Sequence, residues 1–247
     1  MDLLAALQFL TILPVKRNFT SAQIARSAAY FPVVGLIIGA ILLGLHCLLT
    51  FLLPGGIVSG LLLAALVVLG GGLHLDGLAD TIDGLAGHRT PERRLEIMHD
   101  SRIGAIGAVG LFLFLIIEYI TLNSLPDKWM PFTLLLAPTV SRWAMIDAIF
   151  AYPYARPEGL GKAFKQGVSW IELLIASLVA LALAAILFQT AGLVILATVF
   201  IVINGAALYF KRQLGGLTGD TYGAINEIAL ITVLLTINVL TFKHWLL

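Results

Sequence analysis

Three aspartates at spacings of four and three, Asp76, Asp80 and Asp83, sit in the stretch LHLDGLADTIDG at 73–84, with no lysine or arginine among them. On a helix turning about 100° per residue, those spacings place the carboxylates within a sector of about 60°. Like charges that close repel, so a positive partner is expected to offset them. Several hard oxygen donors with no thiolate suit a divalent ion such as Mg²⁺, which takes one or two carboxylates and completes its shell with substrate phosphates. The competing reading is a merely solvated, acidic helix end. Gly70, Gly71 and Gly72 just upstream would let backbones approach closely.

A second acidic pair lies in GGLTGDTYGAINE at 215–227. Asp220 and Glu227 are seven residues apart, as are Asp76 and Asp83, and both pairs follow Gly-Gly-Leu and two further residues. Seven residues make about two helical turns, so each pair faces one way. The match is too short to count as an internal repeat, but it predicts two acidic half-sites facing each other across one cavity. Between them, 90–102 reads as a short helix with Thr90 as N-cap, Pro91 in the first turn and Glu92 at the favourable acidic end. Glu96 and Asp100 would add to the acidic site and Arg102 would bind phosphate; the alternative is an amphipathic linker with local ion pairs. Arg142 falls inside an apolar run, where a charge is a functional candidate by default, with pairing to Asp147 or Glu118 as the structural alternative. The loop YARPEGLGK at 154–162 adds Arg156, Glu158 and Lys162. Arginines beside carboxylates and glycines would hold anionic phosphates together with their metal. His74, His88 and His99 lack zinc-like spacing, and no GxxxxGK[ST] motif supports nucleoside triphosphate hydrolysis.

The elements that must position these groups are membrane helices. Of 247 residues, 60% are hydrophobic and 12% charged, against about 25% charged in soluble domains, and the mean hydropathy is +1.00. Apolar runs at about 31–53, 56–75, 104–124, 131–150, 170–188, 191–209 and 224–242 are each long enough to span. The short links at 54–56 and 189–190 imply two tight helical hairpins. The expected fold is an all-α, polytopic bundle of about seven transmembrane helices in one domain, 1–247. MDLLAALQFLTILPVKR at the N-terminus lacks a basic leader and is too short to span, so it reads as an interfacial or re-entrant helix. With the N-terminus inside, twelve of the fifteen Lys and Arg residues fall in inside segments, Lys128 and Lys243 fall outside, and Arg142 lies within a span. That bias predicts an N-in, C-out orientation and puts 74–102, 152–165 and 211–223 on the cytoplasmic face. Cys47, the only cysteine, rules out an internal disulfide and a cysteine zinc cluster.

HLDGLADTIDG, LEIMHDSRIG, the Ser141-Arg142 pair, YARPEGLG and GGLTGDTYGAINE, in this order and with LQFLTILPV before them, resemble the cobalamin synthase family of adenosylcobinamide-GDP ribazoletransferases. The likeness spans nearly the whole chain; His99, before Asp100, departs from the arginine expected there. The resemblance implies a bacterial inner-membrane enzyme of late cobalamin assembly. It would join adenosylcobinamide-GDP to α-ribazole, or its 5′-phosphate, with Mg²⁺, releasing GMP. On that basis Asp76, Asp80, Asp83, Asp220 and Glu227 are expected metal ligands, with Asp76, Asp80, Asp83 and Asp220 catalytic and Asp80 the first choice of base. His74, Arg102, Arg142, Arg156, Glu158 and Thr218 are expected to bind substrate. The lipid bilayer is an expected partner and nucleic acid is not; a homo-oligomer is compatible with the sequence. A CDP-alcohol phosphotransferase is the rival enzyme, but its DG-x₂-AR pattern, begun at Asp76-Gly77, fails at Asp80 and Thr81, which stand where its alanine and arginine belong. A cation transporter is the rival outside enzymes, though transporter sites usually lie near the midplane.

Overall fold

The computed structural model describes residues 1–246, the side chain of Leu160 excepted, and every named element among them is helical. A short helix α1 (Asp2–Leu10) precedes α2 (Ser21–Ser27), which runs through a 3-10 turn at Ala28–Tyr30 into α3 (Phe31–Leu49). There follow α4 (Gly55–Leu69), α5 (Leu73–Leu85), α6 (Pro91–Ile97), α7 (Ala105–Asn123), α8 (Met130–Ala151), α9 (Leu160–Gly167), α10 (Trp170–Leu214) and α11 (Gly219–Phe242). Five helical stretches are long and apolar enough to cross a membrane, and α4 with α5 forms a sixth, bent candidate.

The 45 residues of α10 would extend about 67 Å as one rod, more than twice the hydrocarbon thickness of about 30 Å. The helix instead doubles back at Gln189, whose φ of 51° and ψ of −128° break the helical path. A Cβ on Gly192 would lie 2.2 Å from the Ala184 carbonyl oxygen, whereas eight residues of straight helix separate such groups by about 12 Å. Counting its two limbs separately gives seven crossing limbs, the number expected from the apolar runs, with the turn where the 189–190 link was placed.

The second span is shorter than expected. The straight part ends at Leu69, and α5 leaves at 87° to α4, across the end of the bundle. Gly71 and Gly72, at φ 61° and 70°, make that corner in the left-handed region that glycine enters without a side-chain clash. The glycine run is therefore the bend itself as well as a close-packing element.

Helix α8 is the axle, buried along most of its length. Gly35 and Gly39 of α3 lie so close to it that a Cβ would fall 2.2 and 2.5 Å from the carbonyl oxygens of Pro138 and Leu134, the small-residue packing that membrane helices use to bring backbones together. Trp129 stacks on Phe188 at 5.4 Å, and Asn238 donates to the Thr121 carbonyl at 2.9 Å, so the α7–α8 link, the α10 turn and the end of α11 share one end of the bundle. Phe31, Ile149 and Gly219 line a single cavity at the other end. The two termini thus lie at opposite ends, and α5, α6, α9 and the loop after α8 gather at the end that holds α1.

Candidate functional site

Helix α5 carries its aspartates against the first turn of α11. A Cβ on Gly77 would lie 2.7 Å from the Asp220 carbonyl oxygen, and one on Gly223 would lie 3.2 Å from the His74 backbone. Any larger residue at Gly77 pushes the two helices apart. Asp76 is exposed, Asp80 and Asp220 are half-buried, and Asp76 and Asp220 line the same cavity. Burial, with the charges of Asp76 and Asp220, raises the Asp80 carboxyl to about 7, opposed by Arg156. Arg156 makes an ion pair with Asp220 at 2.7 Å, so the acidic face that lacks cations in its own stretch receives one from the 152–159 loop.

That loop is held by the second acidic motif itself. The Ala155 amide donates to the Leu217 carbonyl and the Leu217 amide to the Pro153 carbonyl, both at 2.8 Å. Gly216 permits this pairing, since a Cβ there would meet the 153–155 backbone at 2.8 Å. Thr218, fully buried, caps α11 by accepting the Thr221 amide at 3.2 Å and places its hydroxyl 3.3 Å from Asp220. Its observed contacts position Asp220. Glu158 is exposed on the same loop.

The expected carboxylates divide into three groups. Asp76, Asp80 and Asp220 meet beside Arg156. Asp83 points the other way: its two oxygens accept the Gly104 and Gly107 amides at 2.7 and 2.8 Å, capping α7 from outside. Glu227 lies deeper, with Glu118 and Arg142 around a small cavity of about 20 Å³ that His74 also lines. Arg142 is 1% exposed, its charge faces both glutamates, and its Nη1 donates to Ser141 at 3.0 Å. Asp147, the other partner expected for it, instead accepts from Asn204 at 3.0 Å. Arg102 and Asp100 pair with each other at 2.7 Å, and Glu96 pairs with Arg93 at 2.7 Å. Thr90 caps α6 through the Arg93 amide as its spacing predicts.

Among the described residues, no three His, Cys, Asp or Glu side chains form a ready-made metal cage. A Mg²⁺ ion does not require one, because one or two carboxylates and substrate phosphates satisfy it. Asp76 and Asp220 line the cavity and Asp80 stands beside them, a set of hard oxygen donors whose chemistry suits such an ion.

Three contributions were not anticipated. Arg94, buried, donates to the carbonyls of Gly84, Gly87 and Arg89 and ties α6 to the end of α5. Tyr154 and Tyr222 face one another at 6.3 Å in the cavity wall. Phe9 of α1 joins them in that wall. Only the hydrophobic N-terminal stretch signalled a role for α1, and nothing in it specified which residue reaches the site.

Comparison with known proteins identifies the family of the chain. Residues 2–238 match the family model described as cobalamin-5-phosphate synthase. An adenosylcobinamide-GDP ribazoletransferase of Roseiflexus sp. (strain RS-1) is 42% identical over 234 residues, covering 94% of this chain and 87% of the relative. The like-named protein of Geotalea daltonii is 38% identical over 235 residues, 94% of each chain, and that of Syntrophobacter fumaroxidans 42% over 244 residues, 93% and 94%. No solved structure matches. A match that runs from α1 to within α11 takes in every element of the site, and the chain belongs to the cobalamin-5-phosphate synthase family.

Proposed function

We propose that this chain is a Mg²⁺-dependent adenosylcobinamide-GDP ribazoletransferase of a bacterial inner membrane, with its N-terminus and its site on the cytoplasmic side and its C-terminus outside. The nucleophile is α-ribazole or its 5′-phosphate, and the product is adenosylcobalamin or the corresponding phosphate. The observation that carries this reading is the meeting of Asp76 and Asp80 on α5 with the Asp220–Arg156 pair at the mouth of a cavity. The orientation rests on the distribution of Lys and Arg.

The reaction is a displacement at phosphorus. A ribazole hydroxyl oxygen bonds to the cobinamide-side phosphorus, the bond from that phosphorus to the bridging oxygen breaks, and GMP departs with the bridging oxygen. The hydroxyl proton passes to a carboxylate and then to water. Asp80 suits that task, since a base whose pKa lies near the working pH combines availability with driving force. Asp76 and Asp220 would hold Mg²⁺, which would supply stabilisation of the negative charge that develops in the transfer. Arg156 binds a phosphoryl oxygen and is kept in place by Asp220. Thr218 and the 153–155/217 pairing fix both partners.

The test is the purified protein in liposomes with adenosylcobinamide-GDP and α-ribazole, with and without Mg²⁺, followed by product mass. GMP release that needs both substrates and the metal supports the reading. Absence of ligated product under all these conditions overturns it, and cation flux without turnover would assign the acids to transport.

A further inference from the structure

The cavity beside Asp76 and Asp220 has an aromatic interior. Phe9 of α1, Phe31 of α3 and Phe164 of α9 form a cluster with ring centroids 4.8 to 5.9 Å apart. Tyr154 and Tyr222 form a second aromatic wall. The space holds about 240 Å³. One buried polar atom in a residue of its lining has no partner, the Tyr222 hydroxyl, in a side chain only 3% exposed. Buried polar groups are nearly always satisfied, so an orphaned hydroxyl in a residue of the cavity wall points to a ligand or to water.

We infer that this cavity is the base pocket for the nucleophile: the benzimidazole ring of α-ribazole lies between the phenylalanine cluster and the two tyrosines, with its ribose directed to Asp76 and Asp220. The inference rests on the function proposed above and deepens it. Size separates the two substrates. At about 240 Å³ the space lies just under the roughly 300–1,000 Å³ of pockets for drug-sized ligands; it takes a fused two-ring base with the sugar at its mouth, whereas the corrin ring with its side chains is several times larger and must stay outside. Polarity separates the two flat bases. Guanine carries donors and acceptors around its whole edge, and most of them would be left unpaired against three phenylalanines, at a cost for each. Benzimidazole has an apolar rim and one free ring nitrogen, a single strong acceptor, for which the Tyr222 hydroxyl is an available donor. Gly161 is part of the shape, because a Cβ there would lie 2.6 Å from the Tyr154 ring.

The experiment is a titration of the full-length protein in detergent with α-ribazole, followed by benzimidazole fluorescence, alongside steady-state GMP release. The variants are Phe9→Ala, which trims the half-exposed edge of the cluster, and Tyr222→Phe, which keeps the ring and removes the hydroxyl. Each is expected to weaken α-ribazole binding and raise its KM about tenfold, with the KM for adenosylcobinamide-GDP within twofold of wild type. The free base 5,6-dimethylbenzimidazole should compete with α-ribazole. The pocket assignment is overturned if wild type does not bind α-ribazole, if the free base does not compete, or if both variants keep the wild-type α-ribazole KM while the KM for the GDP substrate rises. Wild-type protein that binds α-ribazole but releases no GMP with both substrates would sink the proposed reaction and leave the pocket standing.

Discussion

Replacing Asp83 by alanine separates a carboxylate that builds the site from those that act in it. Its two oxygens accept the Gly104 and Gly107 amides at 2.7 and 2.8 Å, and these are two of the first-turn donors of α7 that no helical carbonyl can reach. Hydrogen bonds to a charged group contribute about 1.5–3 kcal/mol each, and loss of a helix cap costs about 0.5–2 kcal/mol. Asp83 is half-buried and water can partly replace it, so the expected loss is about 2–3 kcal/mol. For a chain of this size that corresponds to a fall in melting temperature of about 4–12 °C. Gly104→Ala and Gly107→Ala should act in the same direction, since each Cβ would lie 2.4 and 2.2 Å from an Asp83 oxygen. Asp76→Ala, at an exposed site with no capping role, should leave stability within about 0.5 kcal/mol of wild type while removing turnover. The assay is thermal unfolding in detergent read by intrinsic fluorescence, paired with GMP release. An Asp83→Ala protein that melts with wild type, yet needs far more Mg²⁺, would refute the structural role and return Asp83 to the metal site.

Asp80 links stability to pH. Its carboxyl titrates near 7 when folded and near 4 unfolded; below about pH 4 both states are protonated, and between 4 and 7 the folded state keeps a proton that the unfolded state releases, so stability falls as pH rises through this window. Metal-free Asp80→Asn should therefore exceed wild type by about 1–2 kcal/mol at pH 8, after allowance for solvent screening of a half-exposed group, and match it at pH 4; a constant difference at both pH values would contradict this origin. Arg142→Met leaves Glu118 and Glu227 buried without their cation and should cost about 3–5 kcal/mol, with recovery when both glutamates also become glutamine; thermal unfolding of the single and triple variants checks it. Gly77→Ala should cut turnover at least tenfold by separating α5 from α11, with Gly44→Ala, where a Cβ meets nothing within 4 Å, as an unaffected control in the same GMP assay.

How much could be read before the structure depended on the range over which each signal acts. Hydropathy counts the crossing limbs because desolvation of a 20-residue run is a local sum, and the α10 turn followed from the length limit that a bilayer imposes. The α4–α5 corner was missed because Gly70-Gly71-Gly72 permits a straight close-packed helix as readily as a left-handed bend, and only the packing of α5 against α11 selects the bend. Periodicity put Asp76, Asp80 and Asp83 on one face, yet a 60° sector spread along two turns reaches different neighbours at its two ends. Asp76 meets the cavity and Asp83 meets α7. The likeness between Asp76–Asp83 and Asp220–Glu227 correctly brought α5 and α11 together but over-extended their second members, since Glu227 lies two turns into the bundle beside Arg142. The aromatic wall was not legible, because Phe9, Phe31, Tyr154, Phe164 and Tyr222 come from five separate segments whose convergence is purely tertiary.

The central claim is that Asp76 on α5 and Asp220 on α11 act as one unit. It is tested most directly by GMP release from Asp76→Asn, Asp220→Asn and the double variant, each at saturating substrates across a Mg²⁺ series. The account predicts that each single change removes nearly all of the metal-dependent rate and that the double variant is little worse than either, as for groups that work together. Multiplicative losses in the double variant, with the Mg²⁺ dependence of Asp220→Asn unchanged from wild type, would contradict it.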